Sequence, residues 1–273
     1  MEEEKYAMKI FYIGSKYYGF VKQKDKPTIE GCLRRTFEDA SEKRRIQITY
    51  ASRTDRGVHA IGQTITINLK NIDFEKLNEN LPEDIAIWAY CKVPKHFDAR
   101  KSTIYRHYKY IISNENLDIN KMEASLKSLI GIHDFRKICY KTHGPVIRRI
   151  YYTRVERLEN NYISIEIIGS KFARGLVRGI VTIITKIGEE DAKSVWDYIG
   201  RGGKISMAPP ENLYLIDAYY PLKYQLIDNG IIKAMKTLEN HEKLVVEPYI
   251  AREIMRDFKK LINDVKEISK LFP

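Results

Sequence analysis

The sequence predicts an α+β fold built mainly on antiparallel sheet, and three observations carry that expectation. Strand-patterned and helix-patterned segments are interspersed rather than strictly alternating, which disfavours a doubly wound parallel sheet. Several strands run in pairs, most clearly Ile147–Leu158 and Tyr162–Ile168 on either side of the turn Glu159-Asn160-Asn161. The order strand, helix, strand, strand, helix, strand up to Val93 fits a split βαβ unit.

Each element follows from local pattern. Tyr6–Ile13 alternates as a strand and runs into Gly14-Ser15-Lys16-Tyr17-Tyr18-Gly19-Phe20, a glycine-punctuated loop rich in aromatics. Thr28 is placed to cap a helix whose Ile29, Cys32, Leu33 and Phe37 share one face. Ile46–Ala51 reads as a short strand, and Ile61, Ile65, Ile67 and Leu69 mark another. Asp73 caps a short helix that stops before Pro82; Ile85–Val93 and Ser102–Ser113 are strands; Asn120–Ile130 is a helix. Lys171–Ile187 carries a helical apolar stripe (Phe172, Leu176, Ile180, Ile183, Ile187) closed by Gly188. Asp191–Ile199 is helical, Arg201-Gly202-Gly203 and Pro209-Pro210 mark loops, Leu213–Ala218 is a strand, and Ile250–Leu271 is an amphipathic helix.

The chain has 47 Lys and Arg against 36 Asp and Glu, a formal net charge of +11. That excess favours a polyanionic partner, because each neutralised phosphate releases condensed counterions. From Leu222 to Pro273 the balance is 10 against 8, a net of +2, so a phosphate-binding surface is expected upstream of the tail. Upstream, Lys101, Arg106, Lys109, Arg136, Lys137, Lys141, Arg148, Arg149, Arg154 and Lys171 interleave with tyrosines, a mix suited to phosphate contact and base stacking. The three cysteines, Cys32, Cys91 and Cys139, are far apart and odd in number, which suggests neither a disulfide framework nor a metal site. His59, His133 and His143 match no common ligand spacing, so no metal is expected. Met1-Glu2-Glu3-Glu4 is acidic where a signal peptide is basic and then apolar, and no run approaches the ~18 apolar residues of a membrane span. A cytoplasmic protein without a membrane partner is the expectation.

Asp55 stands in the polar segment Ser52-Arg53-Thr54-Asp55-Arg56-Gly57-Val58-His59-Ala60. Between two arginines its carboxylate stays ionised at neutral pH, and an ionised carboxylate serves as nucleophile, base or metal ligand. Asp-x-Gly is equally an ordinary turn, so these residues alone leave the choice open.

The wider string narrows it. Arg53-Thr54-Asp55-Arg56-Gly57-Val58-His59-Ala60 resembles the signature loop Gly-Arg-Thr-Asp-x-Gly-Val-His-Ala of TruA-type tRNA pseudouridine synthases, with Ser52 in place of the first glycine. The likeness continues in order along the chain. Ile13–Phe20 is similar to the family's first loop, Phe97-Asp98-Ala99-Arg100 to its Phe-His-Ala-Arg, and Arg106-His107-Tyr108-Lys109-Tyr110 to its Arg-x-Tyr-x-Tyr strand. Gly131-Ile132-His133-Asp134-Phe135 resembles Gly-x-His-Asp-Phe. Gly169–Arg178 resembles Gly-x-x-Phe-Leu-x-x-Met-Val-Arg, departing at Ala173 and Leu176. Ala208–Leu215 resembles Ala-Pro-x-x-Gly-Leu-x-Leu, departing at Asn212.

The resemblance implies two ferredoxin-like α/β halves sharing a mostly antiparallel mixed sheet, with the active cleft between them. Residues 1–98 would form the half with the Asp loop and 99–222 the half with the Tyr strand and Arg helix. Residues 223–273 would be a helical extension packed on the second half. It implies isomerisation of uridine to pseudouridine in the tRNA anticodon stem-loop, at positions 38, 39 and/or 40, by a homodimer that needs no cofactor. Asp55 would be the nucleophile, Arg178 its cationic partner, and Tyr108 the stacking face that also assists proton removal from C5. Arg53, Arg56, His59 and Arg106 are the further candidates for substrate contact. The alternatives are a catalytically silent tRNA-binding or chaperone protein on the same scaffold, and a metal-dependent hydrolase using Asp55 with Asp134 or His133.

Overall fold

The computed structural model describes residues 3–41, 45–70, 72–113, 116–140, 144–189, 194–200, 202, 205–240 and 246–271. Lys141, His143 and the starts of the expected Asp191–Ile199 helix and Arg201–Gly203 loop lie outside them. The fold is α+β on mostly antiparallel sheet, and the chain divides into two compact units, Met1–Ile104 with Tyr214–Pro273, and Tyr105–Leu213.

The first unit contains β1 (Glu4–Tyr12), α1 (Ile29–Ser41), β2 (Thr49–Tyr50), β3 (His59–Leu69), α2 (Phe74–Asn80) and β4 (Ile85–Lys92). After the second unit, the chain returns with β9 (Leu213–Tyr219), β10 (Gln225–Leu226), α6 (Asp228–Glu239) and α7 (Pro248–Leu271). The strand order is β10-β4-β1-β3-β9, with β2 also on β3; every pair is antiparallel except β3 with β9. Both predicted caps form: Thr28 Oγ1 accepts from Gly31 N–H at 3.2 Å, and Asp73 Oδ1 from Lys76 N–H at 3.0 Å. The strand expected over Ile46–Ala51 contracts to Thr49–Tyr50.

Residues 223–273 correct the expected organisation, because they pack on the first unit rather than the second. Helix α7 buries Ile250, Ile254, Phe258, Leu261, Ile262 and Val265, the stripe that its sequence spells. Phe258 sits 5.7 Å from the Phe11 ring and 5.4 Å from the Trp88 ring, over β1 and β4. Asp257 accepts from Tyr214 Oη at 2.7 Å. Helix α6 lies so close to β4 that a Cβ on Gly230 would stand 2.0 Å from Ile87 O. Lys233 donates to the last carbonyls of α2, Asn78 O at 2.5 Å and Leu81 O at 2.7 Å, and burial pushes its ammonium down to about 8. The tail is therefore a layer of the first unit's core.

The second unit contains β5 (Tyr105–Ser113), α3 (Ile119–Lys127), β6 (Gly131–Asp134), β7 (Ile147–Arg157), β8 (Tyr162–Gly169), α4 (Leu176–Glu189) and α5 (Val195–Gly200). Its strands run β5-β8-β7-β6, all antiparallel. Asn160 and Asn161 take positive φ (53° and 60°) in the β7–β8 turn, a conformation that Asn tolerates. The expected Lys171–Ile187 helix starts only at Leu176, because Gly175 has φ +76°, which breaks the helix before its first turn.

Alternation along β5 puts Tyr108 and Tyr110 on one face and His107 and Lys109 on the other. There Glu166, opposite Lys109 on β8, meets His107 Nε2 at 3.0 Å and Lys109 Nζ at 3.6 Å. Burial opposes its ionisation, yet the His107 hydrogen bond and the charges of His107, Lys109 and Arg154 hold its carboxyl at about 2, below the ordinary 4.5. A depressed carboxylate pKa adds stability that is complete above the unfolded value and disappears as pH falls through the folded one. Glu166→Gln is thus expected to be less stable than the wild type by up to roughly 3 kcal/mol above about pH 5. The gap should close as pH falls from 4.5 towards 2, which urea midpoints of both proteins across pH would show.

Candidate active site

The carboxylate loop lies between β2 and β3, held by contacts from the end of β1, from the glycine–aromatic loop 14–20 and from β3. Tyr12 Oη and Thr54 Oγ1 share a hydrogen bond of 2.7 Å, and Thr54 O accepts from Phe20 N–H at 3.1 Å. Gly14 N–H donates to His59 Nδ1 at 3.0 Å. Two glycines make this approach possible: a Cβ on Gly14 would stand 2.1 Å from Val58 O, and one on Gly19 (φ +92°) 2.9 Å from Thr54 O. Tyr17 Oη donates to Asp84 Oδ1 at 2.5 Å and so ties the same loop to the start of β4; burial pushes the Asp84 carboxyl up. Ser52, the departure from the signature, is clasped by Gln63, which accepts from Ser52 N–H at 3.1 Å and donates to Ser52 O at 2.7 Å.

Within this frame Asp55 is partly exposed, its own carbonyl accepting from Val58 N–H at 3.2 Å, with Gly57 at φ +85° turning the chain between them. The two flanking arginines are exposed, and each is held by a tyrosine. Arg53 Nε donates to Tyr50 Oη at 3.2 Å, and the Arg56 guanidinium lies 4.4 Å from the centroid of the Tyr18 ring. Tyr50 and Tyr18 were not among the sequence candidates; the density of aromatics in the 14–20 loop was the signal for Tyr18.

His59 is corrected as a substrate contact. It is fully buried at the start of β3 and pins the Gly14 backbone, so it reaches a substrate only through the loop that it holds. Arg106 shares the face of β5 that carries Tyr108; it is 3% exposed, and its guanidinium donates to Ser170 O at 2.5 Å.

In the second unit, Tyr108 is 5% exposed on β5, opposite Ile167. Phe172 packs edge-on against it, ring centroids 5.3 Å apart at 86°. Phe172 is not on α4 as the apolar stripe suggested; it folds back over the end of β8, where a Cβ on Gly169 would meet its ring at 2.9 Å. That contact explains the Gly-x-x-Phe spacing. Arg178, in the first turn of α4, is fixed from both ends: its Nε donates to Ala208 O at 2.6 Å, and its carbonyl accepts from Ala208 N–H at 3.3 Å. The Ala208-Pro209 segment is therefore a clasp on Arg178. Burial raises the Tyr110 hydroxyl pKa, and the nearby Arg178 charge opposes the rise.

Asp134, a candidate in the metal-hydrolase reading, accepts from Val146 N–H at 2.8 Å, Arg136 N–H at 3.0 Å and Arg136 Nε at 2.5 Å. The Arg136 hydrogen bond above all holds its carboxyl at about 2. It closes a turn. Among the described residues no group of three His, Cys, Asp or Glu is placed to hold a metal ion, and no helix is long and apolar enough to cross a membrane. All three cysteines are free.

A basic α+β chain with a loop carboxylate set between two tyrosine-held arginines has the make-up of an RNA-modifying enzyme. The comparisons give the particular class. The family described as tRNA pseudouridine synthase matches residues 8–100 and 126–221. The chain is 31% identical over 253 residues to tRNA pseudouridine synthase A of Methanosarcina acetivorans, covering 88% of this chain and 93% of the relative. It is 31% identical over 275 residues to that of Methanothermobacter thermautotrophicus (96% and 98%), and 35% identical over 249 residues to that of Archaeoglobus fulgidus (86% and 90%). This chain belongs to the tRNA pseudouridine synthase family, TruA type, and is an isomerase of that family.

Proposed function

We propose that the enzyme isomerises uridine to pseudouridine in the anticodon stem-loop of tRNA, at positions 38, 39 and/or 40, with Asp55 as its nucleophile. The observation that carries this reading is the Asp55 loop itself, in a chain of this family: a part-exposed carboxylate between two exposed arginines, on a backbone clamped by Tyr12, Gly14, Gly19 and His59. The reaction breaks the C1′–N1 bond, joins C1′ to C5, returns a proton to N1 and releases the C5 proton. A carboxylate that attacks C1′ or C6 holds the intermediate while the base turns, and the balance calls for no redox or metal cofactor. The target base must leave its stack to be reached. Tyr108 retains it by stacking, worth ~1–3 kcal/mol per base, and assists loss of the C5 proton. Arg178 serves as the cationic partner of Asp55, and Arg53 and Arg56 hold the RNA around it. In this reading the working enzyme is a cytoplasmic homodimer, with tRNA reaching across both subunits.

Mapping pseudouridine in tRNA from cells lacking the protein tests the target. Loss confined to positions 38–40, restored by the wild-type gene, is expected. An unchanged pattern would leave the silent RNA-binding alternative.

A further inference from the structure

Arg56 fills the unspecified position of the signature loop, and the surroundings of its side chain sharpen its part in holding the RNA. Two cations converge on the Tyr18 ring: the Arg56 guanidinium at 4.4 Å and Lys26 Nζ at 4.8 Å from its centroid. Both side chains are exposed, and among the described residues neither forms an ion pair. Both bring exposed positive charge to one ring, and that concentration favours a polyanion there.

The chain around the ring is built to hold Lys26 there. Gln23 and Lys26 bridge a tight turn in which Asp25 takes φ +57°. That turn is fastened to Tyr18 by both of its backbone groups: Tyr18 N–H donates to Pro27 O at 2.9 Å, and Tyr18 O accepts from Gln23 Nε2 at 2.6 Å. Lys22, Lys24 and Lys26 are all exposed along the turn, against the single carboxylate of Asp25. A guanidinium stacked on an aromatic face keeps its N–H edges for hydrogen bonding, the geometry in which arginine grips phosphate. Lysine brings a point charge that neutralises a phosphate of the same backbone.

We infer that Tyr18, Lys26 and Arg56, with the lysine turn behind them, form a docking site for the phosphodiester backbone of the substrate RNA, next to the nucleotide presented to Asp55. Arg56 is the neighbour of Asp55 in the chain, so the phosphate held there belongs to the strand that carries the target base. This inference rests on the reading of Asp55 as the nucleophile.

The test is tRNA affinity against salt, between about 50 and 200 mM, for the wild type, Arg56→Gln, Lys26→Gln, and Lys260→Gln as a charge control on the exposed side of α7. Each substitution at the site should lower the slope of log affinity against log salt by about 0.7–1. Across that range the wild type would then lose about threefold more affinity than either variant. Tyr18→Leu, which keeps both charges but removes the ring, should weaken binding with a slope nearer the wild type than those of Arg56→Gln and Lys26→Gln. Lys260→Gln should leave the slope within about 0.2 of the wild type. Unchanged slopes for Arg56→Gln and Lys26→Gln, or an equal fall for Lys260→Gln, would overturn the site. Tritium release from tRNA labelled at uridine C5, measured on the same wild-type preparation, separates the two readings. Release with unmoved slopes refutes the docking site and keeps the catalysis. Lowered slopes without release keep the docking site and refute the catalysis.

Discussion

Asp217→Ala is expected to cost about 3–5 kcal/mol, one of the two largest effects that the structure predicts. Lys9, in the middle of β1, is 2% exposed, and its ammonium has two oxygen partners, the Asp217 carboxylate and Ala218 O at 2.7 Å. The rings of Tyr220 and Tyr224 close around it, at 5.7 and 5.3 Å. A buried ion pair adds little over an apolar pair of the same shape, but removing one partner strands the other charge in a medium that solvates it poorly. The site cannot collapse easily either, since β9 lies so close to β3 that a Cβ on Gly62 would stand 2.3 Å from Ile216 O. Urea unfolding would show the loss as a lower midpoint. The double variant Lys9→Met with Asp217→Asn should recover most of it, because no charge is then left buried. A single variant as stable as the wild type would mean that the pair contributes nothing to seating β9 on the first unit.

Asp55→Asn is the second. The substitution keeps the size of the side chain and the backbone bond from Val58 N–H, so the loop and its two arginines should stay in place. What disappears is the anion that attacks in the proposed mechanism. Removing the nucleophile of a covalent mechanism typically costs on the order of 10⁴–10⁶ in rate, and a loss of at least about 10⁴ is expected here. Affinity for tRNA should stay within a few-fold of the wild type or rise, since a negative charge next to the phosphate backbone has been removed. The signature of this variant is thus a protein that binds and does not turn over.

Much of the fold was legible because local pattern and tertiary packing agree. Thr28 and Asp73 cap the helices that their sequences announce, and the Ile250–Leu271 stripe is the buried face of α7. Where they disagree, the sequence misled. Helix α6 went unseen because it starts on Ile227 without a side-chain cap and carries Gly230 near its start, kept for closeness to β4 rather than for helicity. Strand β6 is only four residues long, too short for alternation to register. The tail was expected on the second unit because it follows it in sequence, but β9 returns to pair with β3 and takes the tail along.

The site divides the same way. Ordered motifs singled out Asp55, Tyr108 and Arg178 as candidates, and the structure supplies reasons for the spacings around them: Gly169 admits Phe172, and Ala208 clasps Arg178. Burial could not be read from the motif, so His59 was taken as a substrate contact although it is fully buried and ties down the Gly14 backbone. The tyrosines that steady Arg53 and Arg56 come from segments remote in sequence or too generic to single out, and only folding reveals the pairing.

Tritium release from tRNA labelled at uridine C5 measures most directly whether Asp55 acts as the nucleophile proposed for it. The wild type should release the label from the modified uridines as C5 joins C1′, while Asp55→Asn, bound to the same tRNA, should release none above background. Release by Asp55→Asn at a rate near that of the wild type would contradict the account.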